Sequence, residues 1–302
     1  MIKAWKRQSL GSRVFDTVNV LFILCLIAIF IIPFLNVIAI SMSDYISISK
    51  GLVTVLPKGF TIESYGYVFR DSYLPRSYFN TILYAVGHTL FMLVVTSLFA
   101  YALSKKNFVA SKIITVYIMI TMFYNGGLIP TYMLINKLKL IDTLWVMIIP
   151  GCIDAFNVMI FRTFFKNVPE ELSEAAYIEG AGEFRILFSI IVPLSKALFA
   201  TFALFTIVGV WNSWFNAVLY LNDQNRFPLQ LLLRNYLFML TNEQLQGRAG
   251  VATRANPLMQ RAIDPKGVRM AMVVITMFPI MVIYPFFQKY FMRGIMIGAI
   301  KG

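Results

Sequence analysis

A succession of apolar runs, each about 20 residues long, constrains this chain more than any other feature. Val18 to Ile40 carries no charged residue, and neither does Ile82 to Leu103. Helical segments of that length match the hydrocarbon thickness of a bilayer. Further runs cover about 113–134, 141–165, 196–221 and 270–291. A backbone in lipid must satisfy its own hydrogen bonds, so these runs predict helices. The expected fold class is all-α, a polytopic membrane protein with six transmembrane helices (18–40, 82–103, 113–134, 141–165, 196–221 and 270–291) in one domain, 1–302. With 59% hydrophobic and only 14% charged residues, an ordinary soluble domain is excluded.

Composition also narrows the chemistry. Cys25 and Cys152 both lie in apolar runs and read as small hydrophobes, not as a disulfide framework. The lone His88 has no partner cluster, so a packed or hydrogen-bonded role outweighs a metal ligand, and no metal site is expected. There is no Walker-type glycine loop, so the chain is not expected to hydrolyse ATP itself. HExxH, GxSxG and CxxC patterns are missing too, which leaves no visible catalytic constellation.

A net charge of +13 on a membrane chain points to topology and anionic headgroups, not to nucleic acid. Lys3, Lys6, Arg7 and Arg13 precede the first run, which is too long for a signal peptide and is expected to stay in the mature protein. Lys105, Lys106 and Lys112 follow the second run in a tight loop, placing that loop and the N-terminus inside. An even number of spans then puts both termini in the cytoplasm. Lys137 and Lys139 run against this tendency, so charge alone does not decide orientation.

Several polar or breaking residues interrupt the spans. Asn125-Gly126-Gly127 and Pro130 break the third run, as a flexible outer end or as a bend lining a substrate path. Pro33 is expected to kink the first. Asp154 sits near the middle of the fourth, where an acid is costly; it is a pathway candidate or a paired interface acid. Trp211-Asn212-Ser213-Trp214-Phe215-Asn216 ends the fifth. Aromatic rings beside amides suit sugars, and they equally suit an interfacial belt. Residues 222–267 form the longest polar loop, expected to be irregular, with a mobile Gly247–Gly250 stretch.

The most informative loop, 166–194, lies between the fourth and fifth runs. It holds Glu170, Glu171, Glu174, Glu179 and Glu183. Pro169 suits a first helical position, and Glu170 and Glu171 then face the positive end of the helix dipole. Ala175 and Ala176 favour helix, Gly180 is placed to end it, and a second helix from Phe184 to Ile191 is expected to close at Pro193. By itself this is a helix–turn–helix connector whose small residues allow close approach of another protein.

The spacing adds more. Glu174-Ala175-Ala176, three residues, Gly180, nine residues, Ile190, one residue and Val192-Pro193 resembles the EAA loop of ABC-importer permeases, with Val192 where that pattern has Leu. The whole chain resembles the carbohydrate-uptake, MalG-like branch, and its FYNGGLIPTY segment and GIMIGAIKG tail resemble the lipoprotein-dependent LplC/YtcP subgroup. The resemblance implies a permease subunit, not an enzyme, that imports a sugar or oligosaccharide across a bacterial plasma membrane by ATP-driven alternating access. It implies coupling to the ATPase through Glu174, Ala175, Ala176, Gly180, Ile190 and Pro193. It implies a second homologous permease subunit, a cytoplasmic ATPase dimer that uses ATP and Mg, and an extracytoplasmic solute-binding protein. Asn125, Asp154, Trp211, Asn212, Trp214 and Asn216 are then the pathway candidates. In the long loop, Gln244, Gln246, Arg248 and Arg254 are candidates for meeting the binding protein. Peptide or amino-acid permeases carry similar loops and remain open, as does a polytopic protein without transport activity.

Overall fold

A computed structural model describes residues 10–124, 126–246 and 264–299, with side chains for all of these except 10, 239–246 and 287–299. The chain divides into two compact units, Met1–Asp71 with Asn235–Met277, and Ser72–Arg234 with Phe278–Gly302. Among the described residues three helices are long and apolar enough to cross a membrane: Gly11–Ser41, Tyr73–Ser104 and Pro265–Phe286. Two helix pairs pass the same test together but are sharply bent.

In the first unit, α1 (Leu10–Ser41) runs on through Pro33. None of its apolar window is buried within the protein, so its surface is lipid- or partner-facing. Short helices α2 (Tyr45–Ser49) and α3 (Glu63–Phe69) follow. Asp44 caps α2 by accepting from the Ser47 N–H at 2.7 Å. Gly267 lies so close to α3 that a Cβ there would meet Ser64 Oγ at 2.7 Å. That tight passage positions the start of the last helix, Pro265–Ala299, against α3.

The second unit is built on α4 (Tyr73–Ser104). Its buried face carries Tyr84, Ala85, Thr89, Met92, Thr96 and Ala100, spacing that keeps one side of a helix in contact with neighbours. Beside it run α5 (Ser111–Phe123) and α6 (Leu128–Lys137), which meet at 117°. The third expected span is thus a bent pair, as Gly127 at φ +86° and Pro130 allow.

The fourth expected span, 141–165, is not one helix. It comprises α7 (Trp145–Ile148) and α8 (Ala155–Lys166). Pro150 removes an N–H, Gly151 adopts φ +76°, and Asp154 restarts the helix as an N-cap. Sequence length and hydropathy could not reveal this, because the break is local backbone chemistry inside an apolar run.

Four elements follow: α9 (Glu170–Ile178), α10 (Glu183–Leu194), α11 (Lys196–Trp211) and α12 (Phe215–Tyr220). The fifth expected span, 196–221, breaks after Trp211, and α10 joins α11 at 82°. Two details of the charged loop differ from expectation. Pro169 is the N-cap of α9, one position earlier than expected. Pro193 does not end α10 but lies within it, after a π-helical turn at Leu187–Ile191 that accommodates the missing N–H. Finally, the expected irregular loop holds an 18-residue helix, α13 (Leu229–Gln246); the last helix among the described residues, Pro265–Ala299, is α14.

Within the second unit one hydrophobic cluster joins α4, α5, α8, α9, α10 and α11. Phe161 of α8 sits at its centre, fully buried, in edge contact with Phe165, Phe199 and Phe202 at 5.9, 5.2 and 5.0 Å between ring centroids. The cluster includes Met92, Ala100 and Leu103 of α4, Ala176 of α9 and Ile186, Leu187 and Ile191 of α10. A second cluster joins Tyr84, Met147, Ala217 and Tyr220. His88 bonds to the Ile148 carbonyl at 2.8 Å, as its packed reading required, and Cys152 is a buried free thiol.

Candidate functional site

The 166–194 loop builds two faces from one short helix. Ser173 and Ala176 of α9 are buried, whereas Glu171, Leu172, Glu174, Ala175 and Ile178 are exposed, Ile178 by 90%. Small residues therefore seat the helix on the protein, and a mixed acidic and apolar strip points away. Covering this bare isoleucine would gain roughly 1.5–3 kcal/mol of burial. Phe184, 71% exposed at the start of α10, is a second bare apolar side chain in this loop.

Gly180 ends α9 as the expected glycine should. It adopts φ +80°, which disfavours any residue with a Cβ. Its N–H donates to the Tyr177 carbonyl at 2.9 Å, and the Ala181 N–H donates to the Ala176 carbonyl at 2.9 Å. This pair of bonds is a Schellman cap. Ile190 packs against the core cluster, while Pro193 is exposed. Of the expected coupling residues, Glu174 and Ala175 thus sit on the outward strip, Ala176 and Ile190 face the core, and Gly180 shapes the turn.

Behind the strip lies a polar cluster that spacing alone did not single out. Glu183 Oε2 accepts from the Tyr101 hydroxyl at 2.7 Å and pairs with Lys105 Nζ at 3.1 Å. Glu183 Oε1 accepts a hydrogen bond from the Tyr177 hydroxyl. Lys105 donates to that hydroxyl at 3.2 Å and lies 4.5 Å from the Tyr101 ring centroid and 5.2 Å from that of Tyr177. Burial alone would raise the Glu183 pKa, but hydrogen bonds from Tyr177, Tyr101 and Lys105 outweigh it and hold the carboxyl below its usual value. Lys105 shows the mirror image, with burial pulling down and its hydroxyl and carboxylate partners holding it above the ordinary lysine value. Lys106 pairs with Glu170 on the surface. The sequence signal available was Tyr101 and Lys105 four residues apart at a helix end.

The expected pathway residues fall at breaks between helices. Trp211 is buried and meets the Tyr78 ring edge-on at 6.4 Å. Asn212 donates to the Val208 carbonyl at 2.9 Å and accepts from Gln230 Nε2 of α13 at 3.1 Å. Trp214 is 40% exposed, with the Arg234 guanidinium 4.8 Å from its ring centroid. Asn216 is exposed. Gln230 and Arg234 thus join the aromatic–amide stretch, a partnership hidden in sequence because α13 was read as irregular. Asp154 is an exposed N-cap that accepts from the Asn157 N–H at 3.0 Å. An acid at a helix N-terminus is favourable there, so its presence in an apolar run has a structural reason. Asn125, Arg248 and Arg254 lie outside the described residues, as does Gly247–Gly250, and Gln244 and Gln246 fall in the last turn of α13 with side chains outside them. Among the described residues no group of acids, histidines and cysteines could hold a metal.

Among the described residues the arrangement is an exposed acidic and apolar strip on a short helix whose other face packs into a bundle of helices. The family profile described as the binding-protein-dependent transport system inner membrane component matches residues 3–297. Protein LplC of Bacillus subtilis (strain 168) is 38% identical over 293 residues, covering 97% of this chain and 96% of that one. The polygalacturonan/rhamnogalacturonan transport system permease protein YtcP of the same organism is 33% identical, covering 96% and 99%. A chain in the crystal structure of a bacterial ABC transporter involved in the import of the acidic polysaccharide alginate superposes with a TM-score of 0.86 at 28% identity, covering 94% of this chain and 99% of that one. The chain therefore belongs to the binding-protein-dependent transport system inner membrane component family, the membrane permeases of ABC importers.

Proposed function

We propose that this chain is the permease subunit of an ABC importer that carries an oligosaccharide into the cell by alternating access. The observation that carries this reading is the α9 strip. Glu174, Ala175 and Ile178 stand exposed on a Schellman-capped helix whose other face is continuous with the membrane core. That geometry converts a push on a docked helix into movement of spans. ATP and Mg are handled by a separate cytoplasmic ATPase dimer docked on the strip. A second, homologous permease completes the pathway, and an extracytoplasmic binding protein delivers the sugar. On this reading the chain crosses the membrane six times, with α7–α8 as the fourth passage, and both termini lie in the cytoplasm.

In this orientation α13 faces outward and meets the binding protein. A cysteine placed at Gln246 reacts with an impermeant thiol reagent from outside; labelling only after the membrane is breached reverses the topology. The relatives named for saccharides favour sugar over peptide or amino acid. One relative is named for polygalacturonan/rhamnogalacturonan transport and the similar solved structure for import of the acidic polysaccharide alginate, and Arg234 over an exposed Trp214 is chemistry suited to a uronate, whose ring face stacks while its carboxylate meets a guanidinium. The deciding experiment is reconstitution of the chain with its partner permease, ATPase and binding protein in proteoliposomes. Uptake of labelled pectic or alginate oligosaccharide should require both ATP and the binding protein. ATP-independent uptake, or uptake without the ATPase, refutes the reading.

A further inference from the structure

Glu183 joins three elements through one carboxylate. It is the first residue of α10, it takes a hydrogen bond from Tyr177 of α9, and it holds Tyr101 and Lys105 in the last turn and C-cap of α4. The connector it spans, Glu179 to Gly182, contains two glycines, one at φ +80° with open space around it. Left to itself such a connector is a hinge: a push on α9 would rotate α9 about Gly180. The Tyr177–Glu183 bond closes that hinge across the turn. The Tyr101 and Lys105 bonds then fasten the closed turn to α4. On its other side the same helix end is held by Arg162 Nε and Ser111 Oγ, which donate to the Leu103 carbonyl at 3.0 and 2.8 Å. The path from α9 to the longest helix of the unit is therefore a chain of charge-assisted bonds around one acid.

We propose that Glu183, with Tyr101, Tyr177 and Lys105, is a positioning latch that makes α9 and the cytoplasmic end of α4 move as one body, so that the ATPase stroke reaches α4. This rests on the reading of α9 as the ATPase dock. The latch transmits force and makes no contact with sugar or nucleotide. Tyr101 is only 7% exposed, so it is out of reach of a docked ATPase, and its hydroxyl can be removed without touching the docking strip.

The test uses the reconstituted complex and measures three quantities: ATPase co-purification, ATP turnover, and sugar moved per ATP hydrolysed. Tyr101→Phe should keep the ATPase bound and turning over while sugar per ATP falls about threefold; Glu183→Gln should lower it about five- to tenfold, the loss of a partly exposed charged bond. The double variant should be no worse than Glu183→Gln alone, because both changes break one unit. Unchanged sugar per ATP in Tyr101→Phe overturns the latch. So does an additive double variant, or loss of the ATPase from Glu183→Gln, which would make Glu183 a docking contact. Failure of the underlying reading looks different: the ATPase would then co-purify equally well with Glu174→Lys.

Discussion

Arg162 Nε donates to the Leu103 carbonyl oxygen at 3.0 Å, so a cation on α8 closes the C-terminal end of α4. The last carbonyls of a helix have no partner within it, and a guanidinium both bonds one and answers the negative end of the dipole. Arg162→Met keeps the stem and removes the donor. The expected loss is about 1.5–3 kcal/mol, read as a lower unfolding temperature of the purified protein in detergent.

Gly180 tests the cap. Its φ of +80° and the open space around it mean that a substitution is opposed by backbone strain, not by a clash. Gly180→Ala should cost about 1–2 kcal/mol of loop stability, and Gly180→Asn less, because asparagine tolerates this conformation. Limited proteolysis of the 166–194 loop should rank the three proteins glycine, asparagine, alanine. Equal cleavage would contradict the strain.

Ile178 tests the dock. It is 90% exposed, so Ile178→Ser leaves the permease's own unfolding temperature unchanged. If the ATPase covers it, affinity for the ATPase should fall about 10- to 100-fold, equivalent to about 1.5–3 kcal/mol of lost burial. The measurement is titration of purified ATPase against permease in nanodiscs.

Arg234 tests the substrate. Its guanidinium lies 4.8 Å from the Trp214 ring centroid. Arg234→Gln should slow uptake of uronate oligosaccharides more than that of matched neutral ones, and the difference should shrink at high salt. Equal slowing of both would assign Arg234 to the architecture of α13 alone.

The latch has a defined pH window. Glu183 titrates below its usual value of 4.5, so its contribution is complete above that value and is lost as acid carries it through the lower folded pKa. Lys105 titrates above its usual 10.5, so its contribution is complete below that value and is lost as base carries it through the higher folded pKa. Loop stability should therefore be flat between about pH 5 and 10 and decline outside. Hydrogen exchange of the 166–194 loop across that range checks it, and Glu183→Gln should remove the acid limb.

The sequence by itself determined the membrane character, because uncharged runs such as Val18 to Ile40 and Ile82 to Leu103 have no other stable home. It also set the local structure of the 166–194 loop. Gly180 at the end of α9 and Ala176 on its inner face follow from residue type and local hydrogen bonding, which act over a few positions. Breaks inside apolar runs were less legible. Asp154 read as an acid in mid-membrane, yet it caps a helix restarted after Pro150-Gly151. The 229–246 helix carries little polar–apolar contrast, so it read as loop; packing of Leu229 and Leu231 holds it. Only the tertiary structure decided that Tyr101, Lys105 and Glu183 share one site, and that Arg234 lies on Trp214. Sequence periodicity reports which face of an element is apolar; which charges meet across elements depends on how those faces are brought together.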